Sequence, residues 1–182
     1  AIPFLLPLLL QVVQGYSPSQ AGWMLAPIAV GALVTKPLVT RIVKRFGYRK
    51  TLAGNTLLIG INIMLLSQLN QTTPIWLSVP FLTFMGACNS LQFSTMNTIS
   101  IARLRPSQTS SGNSLLSVNQ QLAISFGIGF GAMLLHLLTP ARASLAQTQT
   151  AFSYSFIILG IMTILSGLYF LRLHRFDGKG LY

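Results

Sequence analysis

The chain has 182 residues, with twelve Lys or Arg against a single acidic residue, for a formal charge of +11. Charged residues still make up only 7% of it and apolar residues 52%, whereas soluble domains are roughly 25% charged. This excludes a soluble globule and a disordered chain, and the low charge density speaks against a nucleic-acid partner despite the basic balance. An apolar run of about 20 residues crosses roughly 30 Å of bilayer hydrocarbon. Six candidate spans follow in order: 1–14, 19–43, 51–69, 75–99, 109–138 and 151–171. No stretch shows the period-2 alternation of a half-buried strand.

The first span opens on Ala1-Ile2-Pro3-Phe4, already inside an apolar run and without the basic segment of a signal peptide. It reads as a truncated helix of a longer protein. The second carries Pro27 and Pro37, each of which removes a helix donor and can kink the helix. Its Lys36 either lines a pore or snorkels to the nearby interface. The links are short and rich in turn residues, as at 15–18, 70–74 and 105–107, and Ser107 suits an N-cap for the fifth span.

The fourth span is unusually polar. Asn89, Gln92, Phe93 and Met96 follow i, i+3, i+4, i+7 spacing on one helix face. Amide, aromatic and thioether groups together suit a pocket for an amphipathic ligand; the alternative is interhelical hydrogen bonding. The fifth span adds Asn119, Gln120 and Gln121, and ends near His136, which serves either as a proton relay or as an interfacial residue. Its Gly127-x-Gly129 lacks the strand and acid of a dinucleotide fingerprint. Gly127-x-x-x-Gly131 reads instead as a small-residue pair for close helix approach. The sixth span has only small polar residues and reads as lipid-facing.

The charges follow the spans. Arg41, Lys44, Arg45, Arg49 and Lys50 lie between spans two and three, Arg103 and Arg105 between four and five, and Arg172, Arg175 and Lys179 after six. With Lys36, eleven of the twelve basic residues fall on one side, and only Arg142 on the other. The positive-inside rule then puts residues 172–182 in a cytoplasmic tail. Trp23, Tyr16 and Trp76 mark the opposite boundary, as interfacial anchors do. Asp177 is the sole acid and Cys88 the sole cysteine. Carboxylate-pair catalysis, a triad with a buried acid, carboxylate-rich cation sites, disulfides and Cys-based zinc sites are therefore excluded. No enzyme, cofactor or metal is expected.

The link from Arg41 to Lys50 resembles the basic loop motif of the major facilitator superfamily, roughly G-x-x-x-D-R-x-G-R-R. Arg45, Gly47, Arg49 and Lys50 fit it, while Thr40 replaces the first Gly and Lys44 the Asp. Gly15-Tyr16-Ser17-Pro18-Ser19-Gln20-Ala21-Gly22, followed by Pro27, is similar to the start of the matching helix in fourteen-helix drug:proton antiporters. Residues 89–98 and 110–117 resemble a multidrug-exporter branch of that group.

The resemblance implies an all-α membrane protein: the six-helix C-terminal half of a transporter, built as a 3+3 inverted repeat. It implies that spans one and four line a central cavity and that spans two and five line its edges, so Gln11, Asn89, Gln92, Phe93 and Met96, with Asn119 of span five, become the substrate-contact candidates. It also implies proton-driven export of drugs or other amphipathic molecules by alternating access, in a bacterial inner membrane. The partners implied are the lipid bilayer, a missing N-terminal half, the small-molecule substrate and protons. Proton coupling would come from outside these residues, or from Lys36 or His136. The competing readings are an uptake carrier and a non-transporting membrane sensor.

Overall fold

The computed structural model describes residues 1–70, 73, 75–101 and 108–172. Among these residues the chain is helical and without strands, in the order α1 (Ile2–Val12), α2 (Pro18–Met24), α3 (Ala26–Phe46), α4 (Tyr48–Leu66), α5 (Ile75–Ile101), α6 (Thr109–Leu138) and α7 (Leu145–Phe170). Three stretches are long and apolar enough to cross a bilayer: Pro18–Leu66, which contains α2 to α4, then Thr109–Leu138 and Leu145–Phe170. Helix α5 has 27 residues, ample in length. Its Asn89, Ser90, Gln92 and Asn97 keep it out of that group, so α5 needs protein or water against part of its surface.

Residues 19–43 fold as two helices, not one. Pro27 sits in the first turn of α3, where its missing N–H costs nothing. It cannot bond back to a preceding turn, so the α2–α3 junction closes with the tighter bonds Leu25 N–H to Gly22 C=O (3.1 Å) and Ile28 N–H to Leu25 C=O (3.0 Å). Pro37 lies inside α3. Both α2 and α7 start with a reciprocal Ser-x-x-Gln capping box, Ser17 with Gln20 and Ser144 with Gln147.

The apolar core lies where α1, α4, α5 and α7 meet. Leu5, Leu6 and Leu9 of α1, Ile63 and Leu66 of α4, Leu82 and Met85 of α5, and Phe152 and Phe156 of α7 form one buried cluster. Two helix pairs approach more closely than side chains would allow. A Cβ at Gly86 would strike the Ile28 backbone of α3, and one at Gly31 the Thr83 carbonyl of α5. Gly60 of α4 and Gly160 of α7 face each other in the same manner. Gly131 of α6 leaves room for Ala1 and Leu5, so the expected small-residue pair sits at a close contact with α1.

Side-chain bonds hold one end of the bundle together. Gln14 donates to the Asn70 carbonyl (2.9 Å) and Ser153 to the Ser67 carbonyl (2.8 Å). The exposed Trp23 and Trp76 and the Arg142 link belong to this end. At the opposite end the α3–α4 turn meets the end of α7, which brings Phe46 to Lys50 beside Leu171. Of the described basic residues, Arg41, Lys44, Arg45, Arg49, Lys50 and Arg172 gather there. Ser107, Arg103, Arg105, Arg175, Asp177 and Lys179 lie outside the described residues.

Candidate functional site

Helix α5 presents three faces with different surroundings. Toward α3 it offers Gly86 and Ser90, and Ser90 Oγ donates to the Ala32 carbonyl at 3.0 Å. Toward α4 it offers Cys88, Gln92 and Thr95. Asn55 Nδ2 donates both to the Cys88 carbonyl (2.8 Å) and to Gln92 Oε1 (2.9 Å). Gln92 Nε2 donates to Thr56 Oγ1 (2.8 Å), whose hydroxyl donates to the Leu52 carbonyl (2.8 Å). The half-buried Gln92 amide is thus used at both its oxygen and its nitrogen in the α4–α5 seam, and its Nε2 also reaches Met96 Sδ at 3.9 Å. Thr51 and Thr95 are buried beside this network, and their hydroxyls have no partner among the described residues.

The third face is open. Asn89, Phe93 and Met96 are exposed, Phe93 to 55% and Met96 to 42%. They stand at i, i+4 and i+7 and form a stripe of one amide, one aromatic ring and one thioether. Further along, Ser100 and Ile101 join Gly112, Leu115, Leu116 and Asn119 of α6 around a groove of about 420 Å³. The two helices are tied beside it by Gln120 Nε2 donating to Asn97 Oδ1 at 2.6 Å. Asn119 is exposed on the α6 wall of that groove. The structure therefore brings Asn119 to the C-terminal end of α5.

Gln11 lies elsewhere. It is half-buried in the last turn of α1, near the end where Gln14 reaches Asn70. Asn89 stands fourteen residues into α5, about 20 Å along its axis. No described hydrogen bond or pocket links Gln11 to the α5 stripe.

The loop-motif residues form a one-residue turn. Gly47 has φ +76° and ψ 160°, a conformation that side chains disfavour, and it ends α3 and starts α4 at once. Arg45 stacks over the Phe46 ring, 5.6 Å from its centroid. Arg49 and Lys50 lie in the first turn of α4, Lys50 exposed and Arg49 half-buried. Lys36 is exposed on α3 next to Pro37, and His136 is exposed in the last turn of α6. Neither has a hydrogen bond among the described residues, and neither lines the groove beside Asn119. Among the described residues no group of three or more metal-ligating side chains occurs. The sequence reading missed Asn55 and Thr56; the signal was an adjacent amide and hydroxyl within span 51–69.

The whole arrangement is an exposed stripe carried by a helix whose other faces are held by hydrogen bonds and close packing. Residues 1–181 match the family model described as Major Facilitator Superfamily. The chain is 34% identical over 180 residues to HsrA of Haemophilus influenzae, a protein named as a transport protein, covering 99% of this chain and 39% of that one. Proteins named for multidrug resistance, MdtD, are also similar. The one from Pectobacterium atrosepticum is 36% identical over 173 residues and the one from Escherichia coli 37% over 175, each covering 94% of this chain and 37% of the relative. The chain thus spans less than two fifths of the length of these relatives.

Proposed function

The chain belongs to the major facilitator superfamily of membrane transporters, and on that premise we propose that it is the cavity-lining part of a secondary exporter of drugs or similar amphipathic molecules. The observation that carries this reading is the open stripe of Asn89, Phe93 and Met96. The ring and thioether offer adaptable apolar surface, and the amide orients a polar group of the ligand. The similarity to two proteins named for multidrug resistance supports the substrate class.

In this reading Asn119 extends the stripe onto α6, Gln92 positions α5 against α4, and Gln11 contributes near the other end of the path. Transport proceeds by alternating access, with substrate near the bilayer midplane between this part and another half. The end carrying Arg41 to Lys50 and Arg172 faces the cytoplasm of a bacterial inner membrane. Spans α1, α2–α3, α4, α5, α6 and α7 make up the six-span unit. Proton coupling commonly uses an intramembrane acid, and the sole acid of this chain is Asp177. In this reading the proton-carrying group is in the other half, with Lys36 and His136 as the alternatives within this chain.

The test is export of a broad substrate panel by the full-length protein in an efflux-deficient host. Asn89→Ala should impair export of part of the panel. Wild-type export of every compound by Asn89→Ala, Phe93→Ala and Met96→Ala would remove the stripe from the pathway.

A further inference from the structure

The proposed transport site leaves unused the most highly charged feature of the molecule, the turn between α3 and α4. Five of the ten residues from 41 to 50 are basic and none is acidic. At this turn Phe46, Gly47, Tyr48, Arg49, Lys50 and Leu171 enclose a groove of about 440 Å³. Its floor is the buried Tyr48, 4% exposed, and its apolar rims are Phe46 and Leu171, 55% and 48% exposed. Arg49 and Lys50 make no hydrogen bond or ion pair among the described residues. Arg172 follows the rim directly and stacks over Tyr169, 5.7 Å from the ring centroid. Helix α7 ends here at Phe170, so the groove lies where an apolar helix leaves the bilayer.

We infer that this groove binds the headgroup of an anionic phospholipid. The phosphate would lie between Arg49 and Lys50, and the upper acyl chain would run along Phe46 and Leu171. Charge complementarity selects an anion: a single acid in the sequence cannot neutralise a five-residue basic turn. The exposed apolar rims select an anion that carries hydrocarbon. Basic pockets between helices at the cytoplasmic surface bind such lipids by this combination. The proposal rests on the membrane reading of the chain and not on the export reading, so it stands or falls separately from the substrate stripe.

The test is native mass spectrometry of the full-length protein, delipidated in detergent and titrated with phosphatidylglycerol, phosphatidylcholine or inorganic phosphate. Phosphatidylglycerol should be retained in preference to phosphatidylcholine. Arg49→Gln/Lys50→Gln should weaken that retention about thirty-fold, and Lys50→Gln alone about fivefold. Arg142→Gln, the same charge loss at the other end, should leave it unchanged, and Arg49→Lys/Lys50→Arg should keep it. If the double variant loses monodispersity, Lys50→Gln, at an exposed position, decides. Equal retention of phosphatidylcholine, equal competition by inorganic phosphate, or unchanged binding by the Gln variants would each overturn the proposal. So would binding that emerges only in Asp177→Asn, because the tail carboxylate would then be the occupant.

Discussion

Gln92 and Asn89 are both amides, one turn apart on the same helix, and they differ in what holds them: Gln92 is tied to α4 and touches the stripe only through Met96 Sδ (3.9 Å), while Asn89 stands on the stripe itself. Gln92 gives and takes hydrogen bonds with Thr56 and Asn55. Asn89 is exposed, with Phe93 and Met96 as its neighbours on the open stripe. The difference teaches that polarity inside a membrane helix has two uses. A half-buried amide whose oxygen and nitrogen are both satisfied fixes one helix against another. An exposed amide with no hydrogen bond among the described residues, set among adaptable apolar groups, is the kind the proposed ligand site uses.

The strongest way to break this contrast is to dislodge α5 itself. Gly86→Val would drive a branched side chain into the Ile28 backbone. It should cost about 3 kcal/mol or more, seen as loss of a monodisperse peak when a fluorescent fusion of the full-length protein is chromatographed. Next comes the face toward α4. Gln92→Leu takes one partner from Asn55, which keeps the Cys88 carbonyl, and one from Thr56, which keeps the Leu52 carbonyl. It should destabilise by about 1 kcal/mol, read as a lower melting temperature with the substrate profile retained. Combining it with Asn55→Leu and Thr56→Val removes the groups left short of a partner and should recover part of that loss.

The open face should respond in the opposite way. Asn89→Ala should leave melting unchanged while raising KM for some substrates about two- to tenfold, the worth of one hydrogen bond. The smallest effect is expected at His136. At an exposed position that does not line the groove beside Asn119, His136→Gln should shift stability by less than about 0.5 kcal/mol and leave the pH dependence of transport in vesicles unchanged.

Much of this was legible in the sequence, and the misses have physical causes. The all-α membrane fold followed from apolar run lengths, since runs of about 20 residues suit helices that satisfy their own backbone in hydrocarbon, whereas barrel strands need only about 10 alternating residues. The polar character of α5 was equally plain. The separate environment of Gln92 was not, because i, i+3, i+4, i+7 spacing spreads over a broad arc. Gln92 stands about 60° from Asn89 around the helix, which is enough to turn it into the neighbouring seam. Only the position of α4 decides that, through Asn55 and Thr56. The break before Pro27 was written in the sequence, but an interior proline and a first-turn proline differ only in where the preceding helix stops. The glycine contacts of Gly31 with α5 and Gly60 with Gly160 join residues far apart in the chain, which no local pattern reports.

The central claim is that Asn89, Phe93 and Met96 face a water-filled substrate path while Gln92 and Thr95 do not. Its most direct test is cysteine accessibility in the full-length protein, after Cys88, itself buried, is replaced by Ala. Single cysteines at 89, 93 and 96 should react with a membrane-impermeant maleimide and be protected by substrate. Cysteines at 92 and 95 should stay unlabelled until the protein is denatured. Equal labelling of all five positions, or labelling at 92 and 95 with none at 89, 93 and 96, would contradict the account.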